Sequence, residues 1–110
     1  MSFAVHELPR AKEDKRQIVE WLLERSRPGA AAWLTAYDDV VERLEQNADS
    51  YGEALENADC PLVDVRQTLF KTRRGRVYRI VFFIERTEVY VLRVRGPGQP
   101  PLKPDEIDLK

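Results

Sequence analysis

The chain holds one cysteine, Cys60, so no disulfide can close within it. One histidine, His6, and one cysteine do not make a zinc site without carboxylates, and no metal-ligand spacing is present. The five glycines form neither a phosphate-cradling loop nor a Gly-x-Ser-x-Gly elbow. No apolar run approaches the roughly 20 residues a bilayer span needs. Met1 to Glu7 has no basic stretch leading into an apolar one, so no secretory signal is expected. No internal repeat is visible. These absences predict a cytoplasmic protein in a reducing compartment, with no membrane contact, no metal and no cofactor.

What is present suits one globular unit. A length of 110 residues supports a single core without staples, and 43% hydrophobic residues with two Trp, four Tyr and four Phe supply it. Phe3–Leu8 alternates as a short strand, with Phe3, Val5 and Glu7 facing one way. Pro9 opens a helix to about Ser26, with Ile18, Val19, Leu22 and Leu23 as its apolar stripe. Arg27-Pro28-Gly29 reads as a break. A second helix, about Ala30–Gln46, repeats Trp33, Leu34, Tyr37, Val40, Val41 and Leu44 at three- and four-residue steps. Asn47–Leu62 is irregular, with Gly52 and Pro61 as breakers and a short helix possible over 51–57. Val63–Lys71, Val77–Glu85 and Glu88–Arg95 then read as three strands of a meander. They are joined at Thr72–Arg76, where Gly75 is available for positive φ, and at the tight turn Arg86-Thr87. The predicted fold is α+β, in the order β-α-α-β-β-β, with the helical hairpin packed on a small twisted antiparallel sheet. Residues 1–95 form one domain, and 96–110 are a proline-rich tail, extended over the sheet or mobile.

Charge is segregated along the chain. Residues 1–65 carry seven basic against fourteen acidic groups, whereas residues 66–95 carry nine against two, although the total is only −1. The basic stretch holds Arg66, Lys71, Arg73, Arg74, Arg76, Arg79, Arg93 and Arg95. Arginine is planar, always charged and binds phosphate oxygens in pairs. The dense local excess therefore predicts an anionic partner, against the plainer reading of solubility charges on strand edges. Whether the strand arginines share a face depends on register. A two-residue turn at 86–87 sets Arg79 opposite Val94 and turns it away from Arg93 and Arg95, while a one-residue shift gathers all three.

Other residues carry less. His6 on an edge strand reads as structural, Cys60 beside Pro61 as incidental, and Trp21 and Trp33 as core. Asp38, Asp39, Glu42 and Glu45 read as a solvated helix face.

The run Leu69-Phe70-Lys71-Thr72-Arg73-Arg74-Gly75-Arg76-Val77-Tyr78-Arg79-Ile80-Val81-Phe82 resembles the core of RelE/ParE-superfamily toxins. There a basic strand–turn leads into a Tyr-Arg-aliphatic-aliphatic-aromatic strand. Ala30-Ala31-Ala32-Trp33-Leu34 and Val91-Leu92-Arg93-Val94-Arg95 are similar as well, and the element order matches over about 1–102. The resemblance implies the toxin of a type II toxin–antitoxin system, neutralised by a cognate antitoxin protein. In its RelE branch it implies a ribosome-dependent mRNA endonuclease. Arg79 then stabilises transition-state charge, Lys71 accepts the proton of the ribose hydroxyl, and Arg66, Arg73, Arg74, Arg76, Arg93 and Arg95 hold nucleic acid. Family nucleases often add a His, Arg or Tyr just after the last strand, whereas Gly96–Pro100 has no titratable group. The ParE branch implies a non-enzymatic inhibitor of DNA gyrase, and a third alternative is a catalytically inactive basic binding module of the same fold.

Overall fold

The computed structural model describes residues 2–59, 63–107 and 109, so Cys60, Pro61 and Leu62 lie outside the described residues. Strand β1 (Ala4–Glu7) is followed by helices α1 (Pro9–Leu23) and α2 (Arg27–Asn47). Two 3-10 turns, Ala48–Ser50 and Leu55–Asp59, lead into β2 (Val65–Phe70), β3 (Tyr78–Glu85) and β4 (Glu88–Arg95). A last 3-10 turn spans Pro104–Glu106. The fold is α+β with the expected element order. The sheet runs β1-β4-β3-β2; β2, β3 and β4 form the antiparallel meander, and β1 joins β4 in parallel, so the four-stranded sheet is mixed.

Arg27-Pro28-Gly29 is not an interhelical break but the first turn of α2. The Ser26 hydroxyl accepts the Gly29 N–H at 3.0 Å, and Pro28 falls where its missing N–H is harmless. From there Trp33, Tyr37, Val40 and Leu44 form a buried stripe that packs on Phe70, Tyr78, Ile80, Phe82, Val89, Val91 and Val94 of the sheet. Trp33 is the hub, with ring centroids 5.5 Å from both Phe70 and Tyr78. Burying side chains of this size is worth about 1.5–3 kcal/mol each, which makes the helix–sheet layer the main source of stability. Trp21 departs from expectation: its side of α1 faces solvent, and the residue is 53% exposed with the Arg25 guanidinium 3.7 Å above its ring.

The opposite sheet face has its own core. Val65, Val81, Phe83 and Leu92 pack beneath Ala54 and beneath Leu102 of the tail. The tail reaches them by reversing at Gly96-Pro97-Gly98-Gln99. Gln99 donates its N–H to the Gly96 carbonyl, and Gly98 takes φ 77°, the positive value that the third position of a type II turn requires. Gly75 does not have positive φ; its role is close approach, because a Cβ there would lie 2.2 Å from the Thr72 hydroxyl. The sheet is thus covered on both sides, by helices on one and by the Leu55–Asp59 turn and the tail on the other.

Candidate anion site

The second face is where the strand arginines gather. The hairpin turn is as short as expected, with Glu85 opposite Glu88, but the register slips further on. Phe82 pairs with Val91 and Val81 with Arg93, leaving Leu92 as an extra residue on β4. This β-bulge shifts all that follows by one position, so Arg79 pairs with Arg95, not with Val94. Arg79, Arg93 and Arg95 therefore emerge on one face. The shift arises inside the strand and not at the turn.

Like charges placed opposite one another destabilise a sheet unless compensated. Compensation comes from residues that sequence reading did not single out for it. Arg79 donates from both terminal nitrogens to the two oxygens of Glu56, at 2.7 Å each, and to the Gln67 amide oxygen at 3.1 Å. The Glu56 side chain is fully buried. Burial alone would raise its pKa, but the Arg79 guanidinium and the Leu102 N–H outweigh burial and hold it below the ordinary carboxylate value. Arg93 grips Asp14 of α1 through Nε at 2.7 Å and a terminal nitrogen at 2.9 Å, which raises its pKa further, and it donates to the Glu106 carbonyl at 3.1 Å. Asp14 also accepts the Val94 N–H at 3.0 Å, closing β4 beyond the end of β1. Arg95 is 6% exposed; among the described residues it donates only to the Pro100 carbonyl, at 3.0 Å, and its buried Nε–H has no partner there. Burial, and then Arg93, push its pKa below the ordinary arginine value.

Arg66 lies elsewhere. It pairs in register with Phe82, on the helix side of the sheet, and is held by Asp64 and by the carbonyls of Asp49 and Tyr51. Lys71, Arg73, Arg74 and Arg76 are exposed in the β2–β3 loop and make no ion pair among the described residues. Beside them a groove of about 640 Å³ runs between α1, the start of α2 and the loop. Ile18, Trp21, Leu22, Trp33, Tyr78 and Val94 line it together with Arg74 and Arg76. The eight basic candidates thus divide into an open loop group (Lys71, Arg73, Arg74, Arg76), a covered group (Arg79, Arg93, Arg95) and Arg66 as a clamp on the preceding loop.

In the covered group, Arg79 and Arg93 are paired with carboxylates of the chain itself. Its one fully buried carboxylate is committed to Arg79 and Leu102, and guanidinium is not a base. His6 stacks on Tyr90 at 5.1 Å and bonds Glu88 at the other end of β4. Among the described residues no three His, Cys, Asp or Glu side chains cluster as a metal site, and no helix is long and apolar enough to cross a membrane. No family model, curated protein or solved structure matches the chain.

Proposed function

We propose that the chain is the toxin of a type II toxin–antitoxin pair, of RelE/ParE kind, acting by binding its target and not by cleaving RNA. The observation that carries the mode of action is the commitment of Arg79 to Glu56. The arginine that a nuclease would turn to the scissile phosphate is spent in a two-point ion pair with a fully buried carboxylate. The four loop cations, by contrast, are exposed and make no ion pair among the described residues, and Arg74 and Arg76 line the apolar groove. That pairing of groove and charge suits an antitoxin segment with apolar anchors flanked by carboxylates. Purified chain added to gyrase with relaxed plasmid is expected to block supercoiling, and Arg73→Ala with Arg74→Ala and Arg76→Ala to relieve the block. Translating ribosomes are expected to yield no A-site cuts.

A second reading, the mRNA endonuclease, is favoured by the convergence of Arg79, Arg93 and Arg95 on one face. It predicts A-site cuts that Arg79→Ala abolishes, and such cuts would displace the binding reading. Unimpaired growth on induced expression would leave a non-toxic basic binding module.

A further inference from the structure

The groove beside the β2–β3 loop combines an apolar wall with two exposed guanidinium groups. Ile18, Trp21 and Leu22 of α1 line it with Trp33 of α2, Tyr78 of β3 and Val94 of β4. Gly29, Gly75 and Gly96, three of the chain's five glycines, line it too, and without side chains they leave its space open. A Cβ at Gly96 would already lie 3.7 Å from the Tyr78 ring. A volume of about 640 Å³ is that of a small-molecule site, in which an apolar surround and a few polar groups fix one ligand. The half-exposed Trp21 is apolar surface that the fold itself leaves uncovered, and such surface marks a binding site.

The polar groups of the groove select the charge of that ligand. Arg74 and Arg76 make no ion pair among the described residues. Asp14, the one acid lining the groove, is already spent: both its oxygens bond Arg93, and one also accepts the Val94 N–H. Positive charge therefore stands beside apolar surface with no acid of the groove to meet it. A second observation is independent of charge. The Trp33 indole N–H is buried and has no hydrogen-bond partner among the described residues. Buried donors are almost always satisfied, so an unmet one in the wall of a groove marks a place where a ligand can seat against it.

We infer that the groove is a site for a small aromatic carboxylate, whose ring body packs against Trp21, Trp33 and Tyr78 and whose carboxylate is taken by Arg74 and Arg76. Three aromatic side chains in one wall favour a flat aromatic body through stacked or edge contacts. Guanidinium groups bind a carboxylate at two points. A multiply charged, strongly hydrated anion is disfavoured, because seating it against the apolar wall strips water that nothing there replaces. The inference uses none of the strand arginines and holds whether or not the chain is a toxin. In a toxin, such a ligand would compete with an acidic partner segment for the same wall.

Titration of the isotope-labelled full chain, followed by NMR, tests it. The probes are 2-naphthylacetate and 2-naphthylacetamide, which has the same body without the charge. The acid is expected to bind with a dissociation constant at or below about 1 mM, and at least about tenfold more tightly than the amide. The indole N–H resonances of both Trp21 and Trp33 should move along the same saturable curve. Arg74→Ala combined with Arg76→Ala should bring the acid down to the affinity of the amide and leave the amide unchanged. Trp21→Ala should weaken both probes at least about threefold. All three substituted positions are exposed, so the core is untouched, and thermal unfolding of each variant checks it. Equal affinity for acid and amide, acid binding that survives loss of both arginines, or a titration that leaves Trp33 unmoved overturns the inference. If an acidic peptide with apolar residues moves both indoles and neither naphthyl probe does, the groove is a peptide site and the inference falls.

Discussion

Glu56 and Arg79 stand 23 positions apart, and their pairing decides what the basic strand can do. Removing one partner of a buried ion pair leaves the other charged and unsolvated, at a cost of about 3–5 kcal/mol. Arg79→Ala is therefore expected to lower the urea midpoint sharply, whereas Arg79→Met combined with Glu56→Leu should recover most of the loss. An additive double variant would show that the pair is not coupled. The pair also sets an acid limb. A carboxyl whose pKa is lower folded than unfolded stabilises the protein fully above its ordinary value of 4.5, and that contribution is lost as the pH falls through the lower folded value. Glu56→Gln is thus expected to be less stable at neutral pH but to lose less between pH 6 and pH 3, measured by urea unfolding at each pH. At this scale the sequence was half legible. Arg79 was conspicuous as a charge inside an apolar strand, but nothing local marks Glu56, whose loop neighbours say nothing of a partner 23 residues on. Trp21 misled for the opposite reason, since it falls within the helical pattern as a large aromatic, while the structure leaves it on the solvent side of α1 under the Arg25 guanidinium.

At the scale of elements, order and type were legible because the apolar period changes cleanly from helical to alternating at residue 63, and β4 has the expected ends. The start of α2 was not, because proline serves both as breaker and as first-turn residue, and only the Ser26 cap separates the two. The bulge did leave a trace. Apolar residues that face the helices fall at Val89 and Val91 and then at Val94, so the alternation changes phase at Leu92. Reading that slip would have gathered the three arginines without any shift at the turn. The turn itself carries strain: Arg86 has φ 59°, a region that costs a residue with a Cβ about 1 kcal/mol. Arg86→Gly is expected to raise the melting temperature by roughly 4 °C, and Arg86→Ala not to, by scanning calorimetry. A gain with alanine would trace the effect to charge and not to backbone.

Across the whole molecule, charge segregation turns out to be partly internal bookkeeping. Acidic groups from the first 65 residues neutralise Arg66, Arg79 and Arg93 through Asp64, Glu56 and Asp14. A surplus that looks external in sequence is consumed where the chain folds back on itself, which no count along the chain can reveal. The remainder is concentrated in one loop, where Lys71, Arg73, Arg74 and Arg76 face solvent with no acid among them. A polyanion is therefore expected to bind there. Each phosphate neutralised on a single strand contributes about −0.7 to the slope of log K against log salt, so four contacts predict a slope of roughly −3. Fluorescence anisotropy of a labelled oligonucleotide across a salt series measures it. Replacing Arg73, Arg74 and Arg76 with serine should flatten the slope to about −1 and weaken binding at every salt concentration, whereas Gln67→Ala, in the covered group, should leave the slope untouched. A slope unchanged by the loop substitutions would place the anionic partner on another surface and remove the loop from the account of function.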